Sequence, residues 1–408
     1  MKCRHCGQEL TLPFLDLGAA PPSNAYLTPE DLNAPETWYP LRLLVCAHCW
    51  LVQTQDHAGR EQLFDENYAY FSSYSSSWLA HARDYVRGAQ ARYGLGLHSC
   101  VVEVAANDGY LLQYVREAQV PCYGIEPTAS TARAARAKGI EIVERFFGVA
   151  LARELAAAGR QADLMVANNV LAHVPDINDF VAGFAVLLKN HGVATFEFPH
   201  LLRMVQECQF DTAYHEHYSY LSLTAVERIF AANGLRVFDV AELPTHGGSL
   251  RVHAQRSDTG NKPVSDAVPA LLAREQNAGM TTPDFYAGFQ EVAVRIKNDL
   301  LGFLLQARRD GLKVAAYGAA AKGNTVLNFA GVRPDLLPYV VDLNPAKQGK
   351  YLPGSHIPIV TEARLRADRP DRVLILPWNL SAEITAQLAY IRDWGGQFVT
   401  AVPHMKVT

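Results

Sequence analysis

Short runs of apolar residues alternate with helical patterns through the middle of the chain. Five of these runs predict buried strands, at residues 101–104, 122–125, 140–143, 163–167 and 193–197. Strands that alternate with helices are typical of a parallel α/β sheet. Two later runs, 235–242 and 249–255, predict an antiparallel pair that completes this sheet. Between the two groups, Ser222 is expected to cap a helix that ends near residue 232.

A second α/β pattern occupies the last third of the chain. Residues 263–309 have a mostly helical pattern, interrupted at Gly279 and Pro283. Strands are expected after them at 313–317, 339–342 and 372–376, with a loop of small residues behind the first strand. The domains predicted from these patterns are a module at 1–74, an α/β domain at 75–255 and a smaller Rossmann-like α/β domain at 256–408.

Composition and charge narrow the class of protein. The chain has 408 residues, of which 49% are hydrophobic and 19% charged, and its net charge is −4. This composition is typical of a globular protein, and no apolar run is long enough to span a bilayer. The charge gives no reason to expect nucleic acid as a partner. Because the N-terminus lacks the apolar core of a signal peptide, we expect a cytoplasmic protein with reduced cysteines.

Four of the seven cysteines form two C-x-x-C pairs near the N-terminus. They are Cys3, Cys6, Cys46 and Cys49. This spacing allows four thiolates to surround one ion, and sulfur ligands favour zinc. A redox dithiol or two disulfides are the alternatives, but a redox pair usually opens a helix after a strand. We predict a structural zinc site that stabilises a module too small and too rich in proline to form a core alone.

The turn after the first strand of the middle domain predicts its cofactor. Residues 105–109 read Ala-Ala-Asn-Asp-Gly, so a dinucleotide fingerprint with three glycines is missing. The acids Glu103 and Asp108 favour a cationic ligand without phosphate there, and S-adenosylmethionine meets that requirement. Glu126 ends the next strand, where an acid holds ribose hydroxyls. The predicted cofactor-binding residues are Glu103, Ala105, Asn107, Asp108, Gly109, Glu126, Pro127, Phe146, Phe147 and Asn168, with one of the two phenylalanine rings expected on adenine.

A segment rich in tyrosine and serine, residues 67–78, precedes the middle domain. Aromatic faces with hydroxyl groups suit a sugar or a nucleobase. We therefore predict that Tyr74 and Ser75 contact the substrate. The alternative is a segment that packs its rings at a domain junction.

Residues 214–218, Tyr-His-Glu-His-Tyr, carry the densest group of reactive side chains. Removing a proton from carbon needs a base with a pKa near neutrality and a donor for the developing oxyanion. In an extended strand Tyr214 and His217 face opposite sides, so we predict an irregular loop that turns them together. The alternatives are a metal site with His215 and His217 as ligands, or histidines with a structural role at a domain junction.

The motifs together resemble the sugar C-methyltransferases of deoxysugar pathways. They are residues 70–75, 103–109, 124–127, 169–173, 214–220, 246–251 and 317–324, with the cysteine module before them. The resemblance covers essentially the whole chain. It implies a class I (Rossmann-like) methyltransferase domain between the zinc-binding module and the C-terminal domain. The family usually has glycine where this chain has Ala105, and alanine suits that position only if its φ is negative.

The same resemblance implies a reaction and roles for individual residues. The expected substrate is a nucleotide-linked 4-keto-6-deoxysugar, with dTDP as the expected nucleotide and C3 as the methylated carbon, C5 being the alternative. His217 matches the family's base. The positions that match the family's sugar pocket are Tyr214, Glu216, His173, Asn169 and Tyr68. A monomer or a weak homodimer is expected.

Two further loops are predicted to hold the substrate. The turn at 245–249 contains His246 and Gly247 and either approaches a ligand or closes a hairpin. Lys322 and Asn324 lie in the small-residue loop that opens a helix, where backbone amides favour an anion such as a diphosphate. The alternatives for the whole chain are an NAD-dependent sugar oxidoreductase or epimerase, or a non-catalytic zinc-ribbon binding protein.

Overall fold

The computed structural model describes residues 1–55 and 71–408. Its strands form three sheets. The strands are β1 (Leu12–Ala20), β2 (Tyr39–Val45), β3 (Val52–Thr54), β4 (Val101–Val104), β5 (Cys122–Ile125), β6 (Ile142–Val143), β7 (Ala162–Asn168), β8 (Leu188–Pro199), β9 (Ser219–Tyr220), β10 (Leu235–Leu243), β11 (Ser249–Arg256), β12 (Val314–Tyr317), β13 (Val340–Val341), β14 (Ile359–Val360), β15 (Arg372–Ile375), β16 (Gln397–Thr400) and β17 (Lys406–Val407).

The described residues form twelve α-helices. They are α1 (Ser76–Tyr93), α2 (Leu112–Glu117), α3 (Ala129–Ala137), α4 (Val149–Ala157), α5 (Ile177–Leu187), α6 (Leu201–Gln206), α7 (Leu223–Ala232), α8 (Ala267–Asn277), α9 (Phe289–Arg309), α10 (Ala321–Ala330), α11 (Glu362–Asp368) and α12 (Ser381–Gln387). The predicted cap at Ser222 is confirmed, because its side chain accepts a hydrogen bond from the Ala225 amide at the start of α7.

The central sheet has seven strands in the order β10-β11-β8-β7-β4-β5-β6. The strands from β4 to β8 run parallel, and β10 and β11 pair antiparallel with each other and with β8. All five predicted parallel strands are present, and the predicted antiparallel pair is confirmed. The parallel strands put their carboxyl ends at one edge, which is where open α/β sheets bind ligands.

The C-terminal sheet has six strands in the order β14-β13-β12-β15-β16-β17. The pairs from β14 to β16 are parallel, and β17 adds an antiparallel edge. The predicted strands at 313–317, 339–342 and 372–376 are thus confirmed within two residues at their ends. The helical pattern at 263–309 resolves into α8 and α9, with the break where Gly279 and Pro283 were expected to cause it.

The N-terminal sheet has the order β1-β2-β3-β9, and its last strand comes from the middle of the chain. β9 pairs antiparallel with β3, with Val52 opposite Tyr220 and Gln53 opposite Ser219. The cysteine module is therefore joined by a sheet edge to the residues that follow His217. The predicted bounds of the three domains stay a prediction, but this pairing shows that the first two are built into each other.

Candidate active site

The four predicted zinc ligands meet at one point of the N-terminal module. The sulfur atoms of Cys3, Cys6, Cys46 and Cys49 all lie within 4.8 Å of one another. Cys3 and Cys49 are 3.6 Å apart, and Cys6 and Cys46 are 3.5 Å apart. Four sulfurs at about 2.3 Å from a tetrahedral zinc ion are separated by about 3.8 Å. The donor set therefore fits zinc, and four protein ligands leave no position for substrate, so the ion would be structural.

The chain turns at residues 214–217, as predicted. The amide of His217 donates a hydrogen bond to the Tyr214 carbonyl at 2.9 Å, and regular strand structure begins only at Ser219. The turn brings the two side chains to the same side. The Tyr214 hydroxyl lies 2.7 Å from Nε2 of His217, with the ring centroids 3.9 Å apart.

The hydrogen bonds of His217 define its tautomer. Nδ1 lies 2.9 Å from the carbonyl oxygen of Thr212, which only accepts, so Nδ1 carries the proton. Nε2 therefore has the lone pair and accepts from the Tyr214 hydroxyl. Burial lowers the pKa of His217 well below its ordinary value, and the neighbouring His173 and Lys322 add to this effect. The ring is held neutral, as a base must be.

His173 is a second neutral imidazole beside the first. Its ring meets the ring of His217 edge-on, with centroids 4.6 Å apart. Its Nδ1 lies 2.8 Å from the Glu216 carbonyl oxygen and therefore donates to it. Burial lowers the pKa of His173 to about 4. His215, in contrast, lies against the N-terminal module, where its Nε2 is 3.2 Å from the carbonyl oxygen of Tyr39.

Glu216 is buried, and its two carboxylate oxygens differ. Oε1 accepts from the backbone amide of Asn24 at 3.3 Å and from its Nδ2 at 3.2 Å. Oε2 is buried without a hydrogen-bond partner. Burial raises the pKa of this carboxyl. Asn24, which belongs to the N-terminal module, was not singled out by the sequence.

Asn169 and His246 form a pair across two loops. Nδ2 of Asn169 lies 3.0 Å from Nε2 of His246, while Oδ1 of Asn169 is buried without a partner. Both residues have positive φ, 52° and 54°, a region that residues other than glycine rarely adopt. Such strain persists only where the surroundings enforce it. Burial lowers the pKa of His246 to about 4, so it too is neutral.

The C-terminal domain contains two predicted substrate-binding residues, Lys322 and Asn324. The ammonium group of Lys322 lies 4.6 Å from the ring centroid of Trp378 and 3.3 Å from Oδ1 of Asn379. Both side-chain polar atoms of Asn324 are buried without a partner. Burial lowers the pKa of Lys322, with Asp211 opposing the shift. The predicted loop residues thus face the methyltransferase side of the molecule.

A hydrogen bond between Asp211 and Trp378 connects the methyltransferase part of the chain to the C-terminal domain. The indole Nε1 of Trp378 donates to Oδ2 of Asp211 at 2.7 Å, and the other oxygen of Asp211 is buried without a partner. Burial raises the pKa of Asp211 to about 6. Gly247 allows the indole to approach, because a Cβ atom there would lie 2.5 Å from the Trp378 ring. Neither Asp211 nor Trp378 was predicted, since their pairing spans 167 positions.

The turn after β4 requires a correction. Ala105 has a φ of 59°, so the expectation that alanine sits there with negative φ is wrong. The left-handed conformation costs a residue with a Cβ roughly 1 kcal/mol or more, which glycine would avoid. The backbone is nevertheless held there because the amides of Ala105 and Ala106 both donate to the carbonyl of Ile125, at 2.8 and 3.1 Å.

Three acids lie at this edge of the central sheet. Glu103 is fully buried with the Tyr110 hydroxyl near it and no hydrogen bond of ordinary length, and burial raises its pKa well above the ordinary value. Glu126 accepts from the amides of Asn107 and Thr128, each at 2.9 Å. Asp108 has Lys138 at 3.4 Å, so its charge is partly balanced.

The remaining predicted cofactor residues have different surroundings. Phe147 packs into the core against Phe180 and Phe184, which leaves the half-buried Phe146 as the candidate ring for adenine. Gly109 serves close packing, since a Cβ there would lie 2.3 Å from Ile140. Asn168, at the end of β7, is buried with both side-chain atoms unpartnered. Pro127 follows Glu126 and is half-buried.

The segment before α1 lies over the first turn of the central sheet. The amide of Ser72 donates to Oδ1 of Asn107 at 2.9 Å, and the amide of Ser73 lies 3.3 Å from Oδ2 of Asp108. The hydroxyl of Ser75 caps α1 by accepting from the Trp78 amide, and Tyr74 is 64% exposed. Contacts of these two residues with substrate stay a prediction. Tyr68 lies outside the described residues.

Comparison with known proteins places this geometry in a family. Three family models match consecutive parts of the chain: "Putative zinc binding domain" at residues 3–64, "Methyltransferase domain" at 78–240 and "C-methyltransferase C-terminal domain" at 244–403. No helix among the described residues is both long and apolar enough to cross a membrane.

Two solved methyltransferase structures are similar to about half of the chain. Magnesium protoporphyrin IX methyltransferase from Synechocystis PCC 6803 is 17% identical with a TM-score of 0.34, covering 44% of this chain and 79% of that one. The 1,6-didemethyltoxoflavin-N1-methyltransferase of Burkholderia thailandensis is 15% identical with a TM-score of 0.37, covering 51% and 96%.

A curated relative matches over the full length. C-methyltransferase NovU from Streptomyces niveus is 32% identical over 406 residues, which is 100% of this chain and 96% of the relative. The order of the matched parts is the order of the three sheets described above. The chain therefore belongs to the C-methyltransferase family.

Proposed function

We propose that this enzyme uses S-adenosylmethionine to methylate C3 of a nucleotide-linked 4-keto-6-deoxysugar, with dTDP as the nucleotide. The observation that carries the proposal is the hydrogen-bonded pair of Tyr214 and neutral His217. A C-methyltransferase must remove a proton from carbon, and this pair places a neutral imidazole with a lone-pair nitrogen beside a hydroxyl donor. We also propose a cytoplasmic location and a monomer or weak homodimer.

The hydrogen bonds of Tyr214 and His217 determine where the proton removed in the first step goes. His217 already donates from Nδ1 to Thr212, so a further proton goes to Nε2. The C3–H bond breaks, its electron pair moves into the enolate, and the charge develops on the C4 oxygen. The proton reaches Nε2 either directly, with the phenol turned aside, or through the Tyr214 hydroxyl. The Thr212 carbonyl then stabilises the imidazolium through the Nδ1 proton.

The acidic edge of the central sheet fits the methyl donor. When bound, S-adenosylmethionine supplies an electrophilic methyl group on a sulfonium centre. Glu103 is buried with the Tyr110 hydroxyl near it and no hydrogen bond of ordinary length, as expected of a carboxyl group that binds a cationic or donor-rich ligand. Glu126 directly follows β5, where its oxygens keep lone pairs for ribose hydroxyls in addition to the two amides.

A polar substrate accounts for the unpartnered groups that surround the base. Buried polar atoms are nearly always hydrogen-bonded in native proteins. Here Oε2 of Glu216, Oδ1 of Asn169 and Oδ1 of Asp211 are buried and unpartnered. Hydroxyl groups of a sugar would donate to such acceptor oxygens. Sugars offer both donors and acceptors at short spacing, which an apolar substrate does not.

The C-terminal loop suits the diphosphate of the substrate. The first-turn amides of α10 have no acceptor within the helix, and a helix N-terminus attracts anions. Lys322 lies in that first turn with its ammonium group toward Trp378 and Asn379. Together they provide a positive site in the C-terminal domain.

An NAD-dependent oxidoreductase would need one of the two sheets to hold a dinucleotide. In the small sheet, Asp342 ends the second parallel strand, where such folds place the acid that holds ribose. Its Oδ2 instead accepts from the Ala319 amide at 2.7 Å and lies 3.6 Å from Lys347. Unlike Glu126, Asp342 thus has a cationic side chain of the protein beside it, and this observation disfavours the oxidoreductase.

The direct test is incubation of the purified enzyme with methyl-labelled S-adenosylmethionine and a panel of dTDP- and UDP-linked 4-keto-6-deoxysugars. We expect label at C3 of a dTDP-linked sugar, located by NMR. Labelling at C5 would correct the carbon but keep the class of reaction. No transfer to any keto-sugar, by an enzyme that binds S-adenosylhomocysteine, would reject the sugar substrate. A rise in melting temperature with NAD instead would favour the oxidoreductase.

A further inference from the structure

A loop of the N-terminal module reaches the proposed active site. Asn24 lies in this loop and contacts Glu216 through two nitrogen atoms, its backbone amide and its side-chain Nδ2. Both nitrogens address the same oxygen, Oε1, at 3.3 and 3.2 Å. A residue 192 positions earlier in the chain thus fixes one end of a buried carboxyl group.

The loop that carries Asn24 is itself held by the C-terminal domain. The hydroxyl of Tyr26 donates to the Ala319 carbonyl at 2.6 Å. The backbones of Leu27 and Tyr351 exchange two hydrogen bonds, of 3.0 and 2.8 Å. Lys347 lies 5.2 Å from the ring centroid of Tyr26. Asn24 therefore lies in a loop that contacts both Glu216 and the C-terminal domain.

The two donors on Oε1 determine what the other oxygen can do. N–H groups only donate, so Oε1 must act as an acceptor. Any carboxyl proton is then carried by Oε2, and any contact with a ligand is also made by Oε2. This oxygen is buried without a partner, in a residue that is 1% exposed. An unpaired buried carboxylate oxygen is costly unless a ligand satisfies it.

We propose that Asn24 is a positioning residue of the methyl-transfer reaction, which holds Glu216 by Oε1 so that Oε2 binds an oxygen of the sugar beside the reacting carbon. The inference rests on the proposed function. The N-terminal module then contributes a side chain to the active site in addition to holding the structural metal. It also makes the sugar contact depend on two domains, since Glu216 belongs to the loop of the base.

A purely structural role for Asn24 predicts different behaviour. If the side chain only filled space, the isosteric Asn24→Asp would be tolerated better than Asn24→Ala. If Asn24 positions Glu216 by donating, Asn24→Asp is the worse change, because it places a carboxylate against a carboxylate. Asn24→Ser retains a shorter donor and should fall between wild type and Asn24→Ala.

The experiment is a double-mutant cycle on the full-length, metal-loaded enzyme with the keto-sugar nucleotide identified for wild type. Asn24→Ala should lower kcat about 10- to 100-fold, the effect expected for losing a hydrogen bond to a charged group. In a Glu216→Ala background the same change should alter kcat less than about 2-fold, because its target is gone. Asn33→Ala, at an exposed position of the same module, is the control and should leave kcat unchanged.

Three further measurements test the inference. Zinc content and the Kd for S-adenosylhomocysteine should stay at wild-type values in Asn24→Ala and Asn24→Asp, and the melting temperature should fall only by the few degrees that one lost hydrogen bond predicts, with both variants folded at the assay temperature. An equal loss of kcat from Asn24→Ala with and without Glu216, or a milder effect of Asn24→Asp than of Asn24→Ala, would overturn the inference. Methyl transfer by wild type is measured first, so a failed sugar assignment is recognised separately.

Discussion

The hydroxyl of Tyr214 lies 2.7 Å from Nε2 of His217, the one ring nitrogen of that histidine that has a lone pair. The two side chains are brought together by a turn of four residues and are fixed from behind by the Thr212 carbonyl. A base whose lone pair is engaged by a phenol in the resting state is protected from solvent protons. His217 can take a proton from the substrate only when the phenol turns aside or transmits that proton.

This arrangement predicts that His217→Asn abolishes exchange of the C3 proton with deuterated solvent, while the Kd for S-adenosylhomocysteine stays within about 2-fold of wild type. Asparagine retains a donor but no basic lone pair at neutral pH. His215→Asn is the matched control, since His215 faces Tyr39 on the other side of the loop. Exchange at the wild-type rate in His217→Asn would assign the base to another group, with His173 and Tyr214 as the next candidates.

The pKa of His217 also predicts the pH dependence of the reaction. Burial and the neighbouring His173 lower this pKa well below its ordinary value. The group is active in its neutral form, so activity is lost when acid protonates it, and this happens at a lower pH than for an exposed histidine. We expect the acidic limb of the kcat/KM profile to lie clearly below pH 6.5. A limb at 6.5 or above in wild type would contradict the buried, neutral assignment.

The sequence predicted the strands and turns that depend only on neighbouring residues. Runs of apolar residues define β4, β5 and β7 because a buried parallel strand needs apolar side chains on both faces. The turn at Tyr214 and His217 followed from the alternation of side chains in an extended chain. Such patterns need no information from other parts of the molecule.

Contacts between distant residues could not be predicted in this way. The pairs Asn24–Glu216 and Thr54–His217 are 192 and 163 positions apart, and nothing in either partner's neighbourhood marks the other. The φ of Ala105 depends on its hydrogen bond to Ile125, on the neighbouring strand. Only the packing of α5 decides that Phe147, and not Phe146, enters the core.

The strained turn after β4 predicts that Ala105→Gly stabilises the enzyme. Relief of a left-handed alanine gains roughly 1–2 kcal/mol, and the added freedom of the unfolded chain costs about 0.4–1 kcal/mol. The net gain in the free energy of unfolding is therefore about 1 kcal/mol, measured by urea denaturation. Ala106→Gly is the control, because Ala106 is buried without positive φ and should lose stability. A loss of stability in Ala105→Gly would contradict the strain.

The hydrogen bonds between the N-terminal module and the loop that carries His217 predict the effect of Thr54→Val. The Thr54 hydroxyl donates to the His217 carbonyl at 3.1 Å, and its amide donates to the Tyr218 carbonyl at 3.2 Å. Valine keeps the shape and the amide but loses the hydroxyl, which should cost about 1 kcal/mol of stability. Because the lost bond holds the base, kcat should fall while zinc content, measured by elemental analysis, stays at one ion per chain. Thr37→Val, at an exposed position, should change neither.

The positive site at the start of α10 predicts a selective effect of Lys322→Met. If the ammonium group binds the substrate's diphosphate, its loss should raise KM for the nucleotide-sugar about 10-fold or more and leave the Kd for S-adenosylhomocysteine unchanged. Lys406→Met, which removes an equal charge from an exposed strand, separates a local contact from a change in net charge. Inorganic pyrophosphate should inhibit wild type competitively against the nucleotide-sugar and inhibit Lys322→Met more weakly. Equal inhibition of both enzymes would show that the diphosphate binds elsewhere.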